Sequence, residues 1–294
     1  MLAPEKDPTA PEGAKPRRHD DKLIFMAVPC ADGRMHMKTA MAILNAAIRD
    51  NVRAEFASRS ALANNFNCLW CDCLNAKRVD GTPFTHFLML HNDLFPVTAD
   101  WLSVLLDEAE RVDADVISAI AAIKDHQGVT STAIHMDTGD PNHPWIRRRL
   151  TMHELEYELP ETFNRKILAQ CFGLDGTLLI NTGLLLIDLR KPWPYDRIVF
   201  TQQDRIYRTA DGRQHAVFEP EDWDFSKQAE KLGASVWATR KVITHHVGSF
   251  EYPSEGAWGT CRRDPGRPKH MDRPQDAETE ESPAETAGML TAVE

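Results

Sequence analysis

No stretch of the 294-residue chain approaches the roughly 18 uninterrupted apolar residues that a membrane-spanning helix needs. The opening MLAPEKDPTAPEGAKPRRHDDK has no apolar core of the kind a secretory signal carries, so the expected location is the cytosol, of a cell or of an infected host. Positive charge is in deficit: 34 Lys and Arg stand against 44 Asp and Glu, a net of −10, which argues against a bulk electrostatic grip on nucleic acid. No G-x-G-x-x-G follows the first strand-like run, which speaks against a dinucleotide site. Cys68, Cys71 and Cys73 form CLWCDC, but no second Cys/His pair stands at a finger-like distance to complete a zinc site. Leu62, Phe66, Leu69 and Cys73 recur at helical spacing, so this segment reads as a helix with Cys73 on its buried stripe.

What is present is a globular composition, 42% hydrophobic and 27% charged, with polar, Pro-rich ends. Residues 1–21 and 259–294 are expected to be disordered arms, the second one acidic, around a single domain at 22–258. KLIFMAV is the first strand, and PCADGR is its turn. Met37, Met41, Leu44 and Ile48 then fall on one face of a helix expected to return across the sheet. NVRAEFA is a second strand, after which Ser58 or Ser60 can cap a helix running to about Lys77. Alternation of strand and helix with short connections predicts a mainly parallel central sheet flanked by helices.

The second half departs from that pattern. Residues 124–160 read as a long loop carrying Arg147, Arg148 and Arg149, either a solvated surface or a phosphate clamp. TLLINTGLLLIDL is two short strands broken at Asn181-Thr182-Gly183, and RIYRTADGRQHAVF is a hairpin whose pairing is antiparallel. The sheet is therefore expected to be mixed. A well-signed helix starts after Pro220, with Phe225, Ala229 and Leu232 on its buried side.

Three polar clusters sit at strand ends or helix starts. His91-Asn92-Asp93 follows the apolar THFLML, Glu221-Asp222 opens the late helix, and His245-His246 precedes Val247-Gly248. Open α/β sheets bind ligands at the carboxyl edge of their strands, and Asp and His are ordinary ligands for a divalent ion. The bland alternatives are macrodipole pairing for Glu221 and Asp222, and a hydrogen-bonded strand-end histidine for the pair.

Taken in order, these segments resemble the GT-A fold (Rossmann-like) nucleotide-sugar glycosyltransferases, in particular small stand-alone family 2-like members of bacteria and phages. The likeness runs from Lys22 to about Tyr252. FLMLHNDLFPVTADWL is similar to the strand-plus-DxD element, NTGLLLIDLRKPW to the N-x-G strand, and EPEDWDFSKQAEKLGASVWATRKVITHHVGS to the E-D-x-D-F helix with its closing H-x-G. The resemblance implies that Asp93 and His246 bind a divalent cation, Mn2+ or Mg2+, held by the diphosphate of the donor, and that His91 either binds the same ion or bonds the ribose hydroxyl. It implies that Asp222, with Glu221 beside it, deprotonates the acceptor hydroxyl. Pro29, Asp32 and Arg34 would meet the nucleotide, with Arg59, Asn65 and Asn92 also on the donor side. Asn181, Gly183 and Trp223 would line the acceptor side. Two departures stand out: His91 replaces the first acid of D-x-D, and Asn64-Asn65 replaces an Arg-Asn pair.

The function implied is metal-dependent transfer of a sugar from a nucleotide-diphosphate sugar to an acceptor hydroxyl. A glycan, a small molecule, a protein or a hydroxylated base of phage DNA all qualify as acceptor. A nucleotidyltransferase and a GT-A-like binding domain that has lost catalysis are the competing readings.

Overall fold

Strands β1 (Ile24–Pro29) and β3 (His86–Leu90) are buried at every position, as their nearly unbroken apolar sequence requires. The computed structural model describes residues 19–140, 143–209 and 212–264. Five more strands, β2 (Val52–Ala57), β5 (Val116–Ala119), β8 (Thr162–Phe163), β10 (Leu184–Asp188) and β13 (Val236–Thr239), complete a sheet ordered β2-β1-β3-β10-β5-β13-β8. β1, β2, β3, β5 and β13 all run one way, whereas β10 and β8 oppose them. The sheet is thus mixed, with a reversed strand at its centre.

Helices cover both faces. α1 (Met37–Arg49) and α3 (Trp101–Arg111) pack on Ile24, Met26, Val28 and Leu88. α2 (Leu62–Asn75) and α6 (Glu221–Lys231) pack on Phe25, Ala27 and Phe87, together with α4 (Met152–Tyr157) and α5 (Arg165–Phe172). Phe66, Leu69 and Cys73 face the core from α2, and burial pushes the Cys73 thiol up to about 12, so it is a packing residue. Neither Ser58 nor Ser60 caps α2; its N-cap is Ala61, and the Ser58 hydroxyl donates to the Ala31 carbonyl at 3.3 Å.

The inward face of α1 differs from the expected one. Met37, Met41, Leu44 and Ile48 are all exposed, and the buried positions are Thr39, Ala42, Ile43 and Ala46. Small residues let the helix approach closely, because the volume beneath it is filled by α3. Trp101 is fully buried and donates from Nε1 to the Ala42 carbonyl, while Thr39 Oγ1 donates to Leu94 O.

Nor are residues 124–160 a loop. β6 (Val129–Asp140) and β7 (His143–Thr151) form a long antiparallel hairpin that joins β9 (Thr177–Leu179) in a second sheet. Several of its polar residues face inward: Thr130 Oγ1 donates to Leu150 O at 2.9 Å, and Arg148 pairs with the fully buried Glu154. Polar residues at inward positions hid the strand alternation. β11 (Gln203–Arg208) and β12 (Gln214–Glu219) are the antiparallel hairpin expected around ADGR. A third small sheet, ordered β15-β14-β4, contains β4 (Leu94–Pro96), β14 (Thr244–Val247) and β15 (Glu251–Pro253).

Parts of both expected arms belong to the body. His19 is buried with Nε2 3.3 Å from Asp107, and Asp20 O accepts from Asn51 at 3.0 Å. Beyond residue 258, Cys261 N donates to Gln127 O, Arg262 O accepts from Thr151, Arg263 pairs with Glu158, and Asp264 accepts from Arg149 N. The remainder of those arms, 1–18 and 265–294, lies outside the described residues. A chain cut after Cys261 is therefore expected to melt a few degrees below one cut after Asp264, as a calorimetric scan would show. Equal melting temperatures would mean that these contacts contribute nothing.

Candidate functional site

His91, Asn92 and Asp93 occupy the tight turn between β3 and β4, at the carboxyl end of the central sheet. The turn is held from three sides. His91 N donates to Gly183 O at 2.9 Å, Asn92 O accepts from His36 N at 3.0 Å, and Asp93 O accepts from Val247 N at 2.7 Å. The Asn92 side chain donates to Arg34 O at 2.7 Å, which ties the turn to the loop after β1. In that loop Asp32 Oδ1 accepts from Arg34 N at 3.0 Å; Asp32 and Arg34 are exposed, and Pro29 is the buried end of β1. Two neighbouring strands thus present one continuous polar rim.

Asp93 is the electrostatic centre of this rim. Its Oδ2 is paired with Lys124 Nζ and lies 3.7 Å from His246 Nε2. His246 Nδ1 donates to Ala122 O at 2.8 Å, which fixes the ring and turns Nε2 toward Asp93. Burial pushes the Asp93 carboxyl up, but His246 and Lys124 outweigh it and hold the group well below the usual carboxylate range. Its Oδ1 is buried with no partner among the described residues. His91 turns away: Nε2 lies 3.3 Å from Thr182 Oγ1, and burial pushes the imidazole down to about 4 against the pull of Asp93.

The three side chains expected to hold a divalent cation therefore do not fit one as a set. Asp93 and His246 converge, His91 is bonded toward Thr182, and the carboxylate oxygen carries an ammonium. Among the described residues no three His, Cys, Asp or Glu groups come together to hold a metal ion.

The corner between β9 and β10 separates this rim from α6. Asn181 Nδ2 donates to Ala119 O at 2.8 Å and its Oδ1 accepts from Gly183 N at 3.0 Å, so the amide holds the corner. A Cβ on Gly183 would lie 3.0 Å from both Asn181 Oδ1 and Leu94 Cδ1, which only glycine avoids. On the far side Ser226 Oγ accepts from Ile180 N at 3.0 Å and donates to Asp222 O at 2.7 Å. Asp222 is half-buried in the first turn of α6, and burial with the charge of Glu221 pushes its carboxyl up to about 8, against the pull of Arg149. Glu221 is buried and accepts from Gln202 at 2.7 Å.

Other expected site residues are placed elsewhere or used internally. Arg59 is exposed before α2, whereas Asn65 is fully buried and donates to Ala57 O beneath the β1 turn. Trp223 is buried, donates to Ser131 O, and has the Arg147 and Arg149 guanidiniums 5.3 and 4.7 Å from its ring centre. Arg147 pairs with Glu219 at 2.8 Å, Arg148 with Glu154, and Arg149 donates to Thr130 O at 3.1 Å. The arginine run is therefore neither a solvated surface nor an open phosphate clamp. Lys124 is the residue that sequence reasoning missed. Its signal was position: it follows β5, whose carboxyl end lies on the same sheet edge as His91.

No helix among the described residues is long and apolar enough to cross a membrane. No family model matches the chain, and no curated protein does. Among solved structures, A197 from STIV overlaps with a TM-score of 0.42 at 12% identity, over 77% of this chain and 86% of that one. A putative UDP-N-acetylglucosamine pyrophosphorylase from Entamoeba histolytica overlaps at 0.28 and 9% identity, over 74% and 73%. HddC from Yersinia pseudotuberculosis, complexed with GMP-PN, overlaps at 0.26 and 11% identity, over 71% and 99%. Overlaps this loose leave the activity of the chain to be argued from its own residues.

Proposed function

We propose that the chain is a GT-A-like glycosyltransferase that moves a sugar from a nucleotide-diphosphate sugar to an acceptor hydroxyl. The observation that carries this reading is that two unlike carboxylates stand on either side of the Asn181–Gly183 corner. One, Asp93, is held ionised in a cationic setting; the other, Asp222, is held protonatable near neutrality. Environments that push two carboxyl groups apart assign them different roles. Asp93, His246 and Lys124 form the face for a departing diphosphate, and Asp222 is the base. In the transfer the acceptor oxygen bonds to the anomeric carbon, the bond from that carbon to the diphosphate oxygen breaks, and the acceptor proton passes to Asp222.

The loop at 29–34 and Asn92 frame the nucleotide side in this reading. The buried Asp93 Oδ1 has room in its bonding for one donor, such as a ribose hydroxyl. A glycan, protein or small-molecule acceptor remains in keeping with the site. A modified-DNA acceptor would not be gripped by Arg147, Arg148 and Arg149, which are engaged within the protein.

The test is hydrolysis of a panel of nucleotide sugars, with chelator and with Mn2+ or Mg2+. At least one donor is expected to turn over, and Asp93→Asn is expected to weaken its binding roughly tenfold. Neither binding nor turnover of any donor would sink the glycosyltransferase reading and favour a non-catalytic domain. Release of pyrophosphate from a nucleoside triphosphate and a sugar phosphate would favour a nucleotidyltransferase.

A further inference from the structure

We infer that Lys124 is the resident cation of this site, its ammonium carried on Asp93 to receive the diphosphate of the nucleotide ligand where a divalent ion would otherwise sit. The inference rests on the proposed nucleotide-sugar reading and concerns what neutralises the leaving group.

Two segments of chain are shaped around this lysine. A Cβ on Gly248 would lie 3.1 Å from Lys124 Cδ and 3.4 Å from its Cβ and Cγ, so the stem runs against bare backbone. Any larger residue at 248 would push the stem aside. Two residues before each partner, His246 Nδ1 donates to Ala122 O at 2.8 Å, locking the same two segments together. Val247 N then bonds Asp93 O at 2.7 Å, which brings the carboxylate to the end of the stem. A surface lysine ordinarily keeps its rotamer freedom; this one is guided to a single acceptor.

The chemistry left over suits an anion. An ammonium has three N–H donors, of which Asp93 Oδ2 engages one. The Lys124 side chain is 34% exposed, so it is open to solvent beside Asp93. A dication on Asp93 Oδ2 would compete with the ammonium for that oxygen and be repelled by it. His91 in place of the first D-x-D acid agrees with this arrangement. A second carboxylate there would strengthen metal binding, whereas His91 has its Nε2 3.3 Å from Thr182 Oγ1.

The experiment is calorimetric titration of the full chain with UDP, GDP, ADP and CDP, in chelator and with Mn2+. At least one is expected to bind in chelator, with little change on adding Mn2+. Lys124→Met is expected to weaken that binding by about tenfold or more. Lys124→Arg, which keeps the charge, is expected to retain most of it. Gly248→Ala moves the stem without altering any charge and should weaken binding in the same direction; melting curves establish that each variant is folded. Binding only when Mn2+ is present overturns the inference and leaves the glycosyltransferase reading standing. So does wild-type affinity of Lys124→Met in chelator. Failure of all four nucleotides under both conditions overturns the functional reading itself, and this inference with it.

Discussion

Asp222→Asn is expected to slow transfer by roughly 10²–10⁴-fold, the range for removal of a general base, and to leave donor affinity unchanged. The wild-type rate should also report the titration of Asp222. Its carboxyl is held up to about 8, so below that pH the base is protonated and the rate falls by about tenfold per unit; above it the rate levels. The stability of the fold should run the other way. Because the folded value is raised, the folded chain holds an extra proton between about 3.8 and about 8. Stability therefore declines as pH rises through that window and is lowest above it. Asp222→Asn has no charge to bury and should melt higher than wild type at pH above 8, with little difference at pH below 4. Equal rates for variant and wild type across this range would remove Asp222 from the reaction.

Glu154→Ala should have the largest effect on stability. Glu154 is fully buried, accepts from Arg148, and closes a capping box with Thr151 at the start of α4, with bonds of 3.1 Å each way. The Arg148 guanidinium lies 4.8 Å from the Phe172 ring, and its Nη1 has no partner among the described residues. Deleting the carboxylate leaves this buried cation uncompensated, which costs about 3–5 kcal/mol in comparable sites. For a domain of this size that corresponds to a fall in melting temperature of about 6–20 °C. Changing Arg148 to Met together with Glu154→Leu should recover part of the loss, since an apolar pair has no charge to desolvate. A Glu154→Ala chain melting within a degree or two of wild type would show that water reaches the pair.

Where burial and periodicity agreed, the sequence was readable. The apolar runs of β1, β3 and β10 stand where they were expected, and so does the helix after Pro220. Two elements misled for opposite reasons. In α1 the large side chains marked the outer face, because Trp101 already fills the space beneath and only Thr39, Ala42, Ile43 and Ala46 fit against the sheet. In the β6–β7 hairpin polar residues look inward, and only tertiary partners such as Glu154 make that tolerable. The site shows the same division. His91, Asn92, Asp93 and His246 were legible as a cluster because they are polar residues next to apolar strands. Lys124 was not, since a single lysine after a strand has no meaning until Gly248 and Asp93 are seen on either side of it. Asn65, Asn181 and Trp223 hold backbone carbonyls, a role that only packing reveals.

The reversed strand β10 also dictates an order of assembly on the ribosome. β3 and β5 are synthesised early but do not touch as ladder partners; each pairs with β10, which arrives at Leu184–Asp188. Until then the nascent chain carries two open sheet edges whose final neighbour has not been made. At about 5–20 residues per second, the interval between β3 and β10 lasts on the order of 5–20 s. The turn at His91 and Asp93 gains its tie to the central sheet only when Gly183, at the foot of the same strand, accepts its bond from His91, and the tie from Val247 follows later still. Docking of the His91 turn on Gly183 and the bridging of β3 to β5 by β10 are thus a single event, and a ribosome stalled before residue 184 should hold a chain with neither.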